Sequence, residues 1–376
     1  MSGEASSSAD PTGADDASID ALAPYGWDAR WAAAFAPHAE AGLAPARVAI
    51  EFNHLLRLRT ASGEVTAQHA GRLRHEAAGR HALAAVGDWV AVRLTPGERT
   101  GTIEAILPRR SQFSRKVAGG LTEQQVVAAN IDVVFIVMGL DRDYNPRRLE
   151  RYLVLAAESG ATPIVLLTKA DLVDDVAGPV AECLTVAAGR DVWAVSVRDG
   201  RGIEDVRRAI APGRTGTLLG SSGAGKSTLI NHLIGHDLLA TGEVRPSDSR
   251  GRHTTRHRQL VLLPGGGLLI DTPGMRELQL WTAPEPTETS FEDIEALAQD
   301  CRFSDCRHVS EPRCAVRQAA DEGRLDPARL DSYLKLQAEA RSLNARLDVR
   351  ERVVERAQAK TVARSLKQLY RARDRQ

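Results

Sequence analysis

Cysteine is scarce in this chain of 376 residues: there are four, and three of them fall between positions 301 and 314. A secreted disulfide framework spreads its cysteines differently, so that class is excluded. No apolar run approaches the roughly 18 residues that a membrane-spanning helix needs. The first residues lack the charged-then-apolar pattern of a secretory signal. No internal repeat is present, and there is no net charge, since 49 Lys and Arg offset 49 Asp and Glu. These absences point to a soluble cytoplasmic protein without a membrane partner, expected to be a monomer.

What is present is unevenly placed. Hydrophobic residues make up 43% of the chain, enough for buried cores and, at this length, for two or three domains. Residues 1–20 carry five acidic residues and no Lys or Arg; too polar to offset chain entropy, they are expected to be disordered. Residues 45–118 carry 12 Lys or Arg against 6 Asp or Glu, and residues 341–376 carry 11 against 4. Two basic regions flanking a near-neutral middle suggest a polyanionic partner such as nucleic acid, although basic residues on ordinary solvated surface give the same count.

Patterning divides the chain into four stretches. Residues 1–44 join the acidic extension to a short packed segment, with Trp27, Trp31 and Phe35 at helical spacing. Residues 45–118 contain short strand-like runs at 47–52, 55–59, 71–74 and 88–93, separated by Gly and Pro. Short strands at regular spacing with a basic excess predict an oligonucleotide-binding (OB) barrel, with a ligand-free structural β-domain as the alternative. Residues 119–285 alternate strands and helices, as in a parallel-sheet α/β domain. Residues 286–376 hold a Cys/His cluster and then a helical, basic tail.

The strongest motif is the run Gly220, Ser221, Ser222, Gly223, Ala224, Gly225, Lys226, Ser227 and Thr228. It matches the phosphate-binding loop G-x-x-x-x-G-K-[ST], after an apolar strand and at the start of a helix. Glycines let backbone N–H groups curl around phosphate oxygens, and the helix N-terminus adds positive potential. Lys226 is the candidate for the β- and γ-phosphates and Ser227 for Mg²⁺.

Asp271, followed by Thr, Pro and Gly274, ends another apolar strand and suits the Mg²⁺ shell, with the Gly274 N–H facing the γ-phosphate. Thr168, Lys169, Ala170 and Asp171 resemble the Asn-Lys-x-Asp guanine motif. A carboxylate at Asp171 accepts from guanine N1–H and N2–H₂, a donor pair adenine lacks. Thr168 stands where Asn is usual, which predicts one weaker polar contact. Ser196 occupies the place of a base-supporting serine, or is an ordinary loop residue. Between the phosphate-loop helix and Asp271 lie His253, Thr254 and Thr255, where a first switch belongs; either threonine could complete Mg²⁺ coordination.

The guanine motif precedes the phosphate loop, the reverse of the usual order, so the expected GTPase domain is circularly permuted. Motifs at the ends of strands in one sheet form the same site in either chain order. Farther on, Cys301, Cys306, His308 and Cys314 offer three thiolates and one imidazole, a set suited to a structural tetrahedral Zn²⁺, with a redox cluster as the alternative. Cys183, alone in an apolar stretch, is expected to be core.

With this motif order and Cys/His spacing, the stretches 86–92, 107–111, 114–116, 251–255 and 303–308 resemble the ribosome-small-subunit-dependent GTPases, the RsgA (YjeQ) family, over about residues 45–345. The resemblance implies an OB domain, a permuted GTPase domain and a zinc-containing C-terminal domain. It implies binding to the small ribosomal subunit and its rRNA late in maturation, with the subunit stimulating hydrolysis of GTP to GDP. The acidic start and the basic tail depart from it. Met275, not Gln, follows Gly274, so His253 is the candidate to hold the attacking water, or else a surface switch residue. Another P-loop NTPase, or an RNA-binding module with structural nucleotide, are the competing readings.

Overall fold

The computed structural model describes residues 20–52, 55–116, 124–235, 258–271, 291–303, 305–335 and 337–338. It divides into two compact units: Met1–Ser114 with Val126–Leu278, and Arg115–Gln125 with Gln279–Gln376. The first 19 residues and the tail from 339, for which disorder and helix are expected, lie outside the described residues.

In the first unit, helix α1 (Ala29–Ala39) begins at Asp28, whose carboxylate accepts from the Trp31 N–H at 3.0 Å, a standard N-cap. Trp31 and Phe35 face inward and join Leu22, Trp89 and Leu107 in one apolar cluster. Trp27 shares their spacing but precedes the cap; it meets Trp89 edge-on at 4.8 Å. Through Trp89 and Leu107, this segment packs against a small barrel.

Strands β1 (Ala44–Phe52), β2 (Leu55–Thr60), β3 (Gly63–His69), β4 (Trp89–Leu94) and β5 (Thr100–Ile106) build that barrel in the order β1-β2-β3-β5-β4-β1. Only β3–β5 is parallel; the other four pairings are antiparallel. This is the five-stranded, OB-like barrel expected from the sequence. Two of its strands, β3 and β5, were not evident in the sequence. One predicted strand is wrong: residues 71–74 open helix α2 (Gly71–Glu76), which carries no buried residue. The run Arg72, Leu73, Arg74 alternates for too short a distance to distinguish the two periods.

After the barrel the chain passes through strands β6 (Gln112–Lys116) and β7 (Gln124–Ala129). The α/β layer then comprises β8 (Val133–Gly139), β9 (Thr162–Thr168), β10 (Val192–Ala194), β11 (Thr215–Gly220), β12 (Arg258–Leu262) and β13 (Leu268–Asp271), in the order β10-β9-β8-β11-β13-β12. The pairings from β10 through to β13 are parallel, while β12 returns antiparallel to β13. Every residue of β8 is buried, as a central strand covered on both faces requires. Cys183 is fully buried in its helix, Ala177–Val186.

A register shift between Val48 and Ile50 marks a bulge in β1, a feature at which strands bend. Its near end pairs with β4 through residues 44–47, and its far end pairs with β12 at Ile50 and Glu51. Barrel and α/β layer thereby share one eleven-stranded sheet.

Two features fix the barrel on the sheet. Arg47 is fully buried, and its guanidinium donates to Gly87 O at 3.3 Å, Asn130 O at 3.2 Å, Thr215 Oγ1 at 2.8 Å and Tyr25 O. Burial, opposed by Asp132 and Asp88, pulls its pKa down to about 10. Gly87 adopts φ +93, and a Cβ there would lie 2.1 Å from Ala129 O and 2.8 Å from Ile270 Cδ1. Only glycine allows the barrel backbone that close.

In the second unit, Phe291 packs edge-on against Tyr333 at 5.3 Å, and Arg329 stacks over Phe291 while pairing with both Asp293 oxygens. A helix at Ala315–Asp321 starts directly after Cys314.

Candidate nucleotide site and metal cluster

The carboxyl ends of four parallel strands carry the sequence-predicted residues. Register aligns Gly220 with Val137 and Gly139 with Thr168, so β11, β8 and β9 deliver their loops to one edge. Asp271 ends the neighbouring β13, beside β11. Ser196 follows β10, whose Ala194 pairs with Leu167. Open α/β sheets bind ligands at this edge.

The phosphate-binding motif leaves β11 through Gly220, where a Cβ would lie 2.3 Å from Val137 O. Ser221, Ser222, Gly223 and Ala224 make the turn, Gly225 is its last residue, and Lys226, Ser227 and Thr228 open the helix Lys226–Ile234. Ala224 is fully buried and anchors the turn. Lys226 Nζ donates to Gly220 O at 2.8 Å and to Ser221 O, which holds its ammonium over the loop. Asp271 faces Lys226; burial outweighs that attraction and pushes its carboxyl up to about 6. The Asp271 carboxylate at a strand end and the Ser227 hydroxyl at a helix start are oxygen donors of the kind a hydrated divalent cation takes.

The reversed motif order does not separate the two loops. The Thr168 hydroxyl donates to Ala224 O at 2.6 Å, across 56 positions. Lys169 Nζ donates to Gly223 O at 2.7 Å. Thr168, which stands where Asn is usual, reaches the phosphate loop through its hydroxyl. Ala170 is fully buried and its N–H meets Val195 O at 3.2 Å. Ser196 is fully buried and donates to Asp171 Oδ1 at 2.8 Å, while accepting from the Arg198 and Asp199 N–H groups. The carboxylate is held in place by a serine that two backbone donors orient in turn. Arg198 lies 3.8 Å from Asp171 Oδ2 but is largely exposed, so it adds little.

His253, Thr254, Thr255 and Gly274 lie outside the described residues. Two residues at the site were not anticipated. Asp141 Oδ2 accepts from Lys169 Nζ at 2.5 Å, and Asp143 Oδ1 accepts from the Ser221 hydroxyl at 2.5 Å. An Asp-x-Asp step just past an apolar strand was the available signal.

In the second unit, the ligand atoms of Cys301, Cys306, His308 and Cys314 all lie within 4.8 Å of one another. Cys301 Sγ is 3.9 Å from Cys314 Sγ and 3.6 Å from His308 Nδ1, and His308 Nδ1 is 3.3 Å from Cys314 Sγ. Sulfurs on a tetrahedral zinc are separated by ~3.8 Å, given Zn–S bonds of about 2.3 Å. All three cysteines are free thiols. Burial, with Cys314 and Cys301 beside it, raises Cys306 to about 11, which a divalent metal would reverse. The donor set, spacing and electrostatics fit Zn²⁺.

A closed five-stranded barrel joined to a P-loop sheet whose guanine loop comes first defines the class: a circularly permuted GTPase with an OB-like domain and a Cys₃His cluster. The family model of the RsgA GTPase matches residues 106–281. The small ribosomal subunit biogenesis GTPase RsgA of Opitutus terrae is 50% identical over 336 residues, covering 87% of this chain and 92% of that protein. Its counterpart in Syntrophotalea carbinolica is 43% identical over 354 residues, covering 92% and 97%. The crystal structure of YjeQ from Thermotoga maritima superposes with a TM-score of 0.58 at 25% identity, covering 79% of this chain and 98% of that one. The fold of YloQ, a circularly permuted GTPase, matches with a TM-score of 0.55. This chain belongs to the RsgA GTPase family, and its activity is GTP hydrolysis.

Proposed function

We propose that the chain docks on the small ribosomal subunit, assists its late maturation, and hydrolyses GTP fastest when docked. The subunit part of this reading rests on the similarity to small ribosomal subunit biogenesis GTPases, and the nucleotide part on the direct contact of the guanine loop with the phosphate loop, Thr168 on Ala224 and Lys169 on Gly223. That contact supports one nucleotide spanning both. In this reading Asp171, held in place by Ser196, reads the guanine edge, and the stem of Lys169 lies along the base. Lys226 and the backbone from Ser221 to Gly225 hold the phosphates. Ser227, Asp271 and Thr254 or Thr255 surround Mg²⁺, which when bound neutralises developing phosphate charge. Gly274 meets the γ-phosphate, and His253 holds the attacking water.

Domain boundaries in this reading are 45–118 for the barrel, 119–285 for the GTPase domain and 286–376 for the zinc-binding helical domain. Cys301, Cys306, His308 and Cys314 hold one structural Zn²⁺ per chain. The barrel's basic residues and the basic tail meet rRNA phosphates, so added salt weakens docking. The protein works in the cytoplasm as a monomer; among its described residues no helix is long and apolar enough to cross a membrane. GTPase assays with purified small subunits, large subunits and neither test the reading. Stimulation by small subunits alone is expected; equal turnover in all three would refute it. A His253→Ala protein with an undiminished stimulated rate removes the histidine from the mechanism.

A further inference from the structure

Lys169 is the point where both nucleotide loops meet a third. Its backbone is left-handed at φ 59, a conformation that disfavours residues with a Cβ. Its ammonium is held from two sides, by Gly223 O at 2.7 Å and Asp141 Oδ2 at 2.5 Å. Asp141 folds back over Gly139, where a Cβ would lie 2.7 Å from its Oδ1. Two residues on, Asp143 receives the Ser221 hydroxyl at 2.5 Å and the Gly139 N–H at 3.3 Å, and pairs with Arg148 at 2.9 Å. The turn after β8 therefore touches the phosphate loop through Ser221 and the guanine loop through Lys169. Each carboxylate is neutralised by its own cation, so neither leaves a free negative charge beside a polyphosphate.

We propose that Asp141 and Asp143 are positioning residues that set how long the nucleotide stays bound, by bracing the guanine and phosphate loops against each other. The brace acts after binding. A nucleotide leaves when the two loops part, and parting them breaks the Lys169–Asp141 and Ser221–Asp143 contacts. Arrival requires neither contact to form first. Loss of the brace therefore raises the dissociation rate and leaves association nearly unchanged. Asp141 is the cleaner probe, because it is partly exposed and its removal opens no core.

The experiment is stopped-flow release of fluorescent N-methylanthraniloyl-GDP, chased with unlabelled GDP, from the full chain carrying Asp141→Ala or Asp141→Asn. Release from the alanine variant is expected to accelerate on the order of fivefold, the range of a partly exposed ion pair. The asparagine variant keeps an acceptor for Lys169 and is expected to stay within about twofold. Association rates and nucleotide-free melting temperatures are expected to match the parent protein in both. In a Lys169→Met background, Asp141→Ala is expected to add nothing, because the partner is already gone. Release of the alanine variant within twofold of the parent, or full additivity with Lys169→Met, overturns the proposal.

Discussion

The Thr168 hydroxyl and the Ala224 carbonyl, 56 positions apart, share a 2.6 Å hydrogen bond in a buried setting. Thr168→Val keeps the shape and removes the donor, leaving a buried carbonyl without that partner. An unsatisfied buried acceptor costs about 1–3 kcal/mol. GDP affinity, measured by isothermal titration, is expected to fall on the order of tenfold. Affinity equal to the parent's would show that the hydroxyl does not hold the loop.

Asp171 is oriented by Ser196 at 2.8 Å, and Ser196 by two backbone N–H groups. In the proposed site Asp171 faces the guanine N–H groups, and Asp171→Asn replaces an acceptor there with a donor. GTP binding is expected to weaken by at least a hundredfold, since a site built for a donor pair rejects the mismatch strongly. Xanthosine triphosphate, which presents a carbonyl where guanine has its amino group, is expected to bind the variant better than GTP. Ser196→Ala should show a smaller loss in the same direction. Competition of each triphosphate against labelled GDP measures all three.

Much of this site was legible from residue order. The phosphate loop, Asp271 and the guanine motif each follow an apolar strand, and register then brings them to one edge. Cys301, Cys306, His308 and Cys314 were legible from spacing alone. What escaped was tertiary. Strands β3 and β5 lack a continuous apolar pattern because each buries only alternate residues. Residues 71–74 read as a strand because three residues of alternation fit either period. Asp141 and Asp143 were not anticipated, because only the fold places Lys169 and Ser221 against them.

The barrel depends on a second buried network. Arg109 makes a two-pronged pair with Asp88 at 2.9 and 2.8 Å, and also donates to His81 O, Leu83 O and Gln112 Oε1. Asp88 is fully buried and also accepts from Ala85 N–H at 2.8 Å. Removing one partner of such a pair leaves the other uncompensated, at about 3–5 kcal/mol. Arg109→Ala is expected to lower the urea midpoint followed by tryptophan fluorescence, to which Trp31 and Trp89, buried in one apolar cluster, contribute. Arg93→Ala, which breaks only an exposed pair with Glu104, is expected to leave the midpoint nearly unchanged. Equal shifts in the two variants would show that the buried pair is not special.

The Cys₃His cluster carries the last prediction. Three thiols and an imidazole within 4.8 Å form no disulfide, and burial beside two other thiols disfavours the Cys306 thiolate. Without a cation the arrangement works against itself, whereas a zinc ion would hold the three thiolates together and bind the imidazole. Metal analysis of the purified protein is expected to give one zinc per chain, and Cys306→Ser to give well below one. The helix Ala315–Asp321 begins on Cys314, whose sulfur accepts from the Arg317 N–H at 3.4 Å, and His308 lies against Tyr333 at 6.1 Å. Stripping the metal with a strong chelator should therefore loosen residues 291–335 together, seen as faster amide exchange there. The strands of the GTPase sheet should keep their protection. Full zinc content in Cys306→Ser, or unchanged exchange after chelation, would mean that the four residues pack together for some other reason.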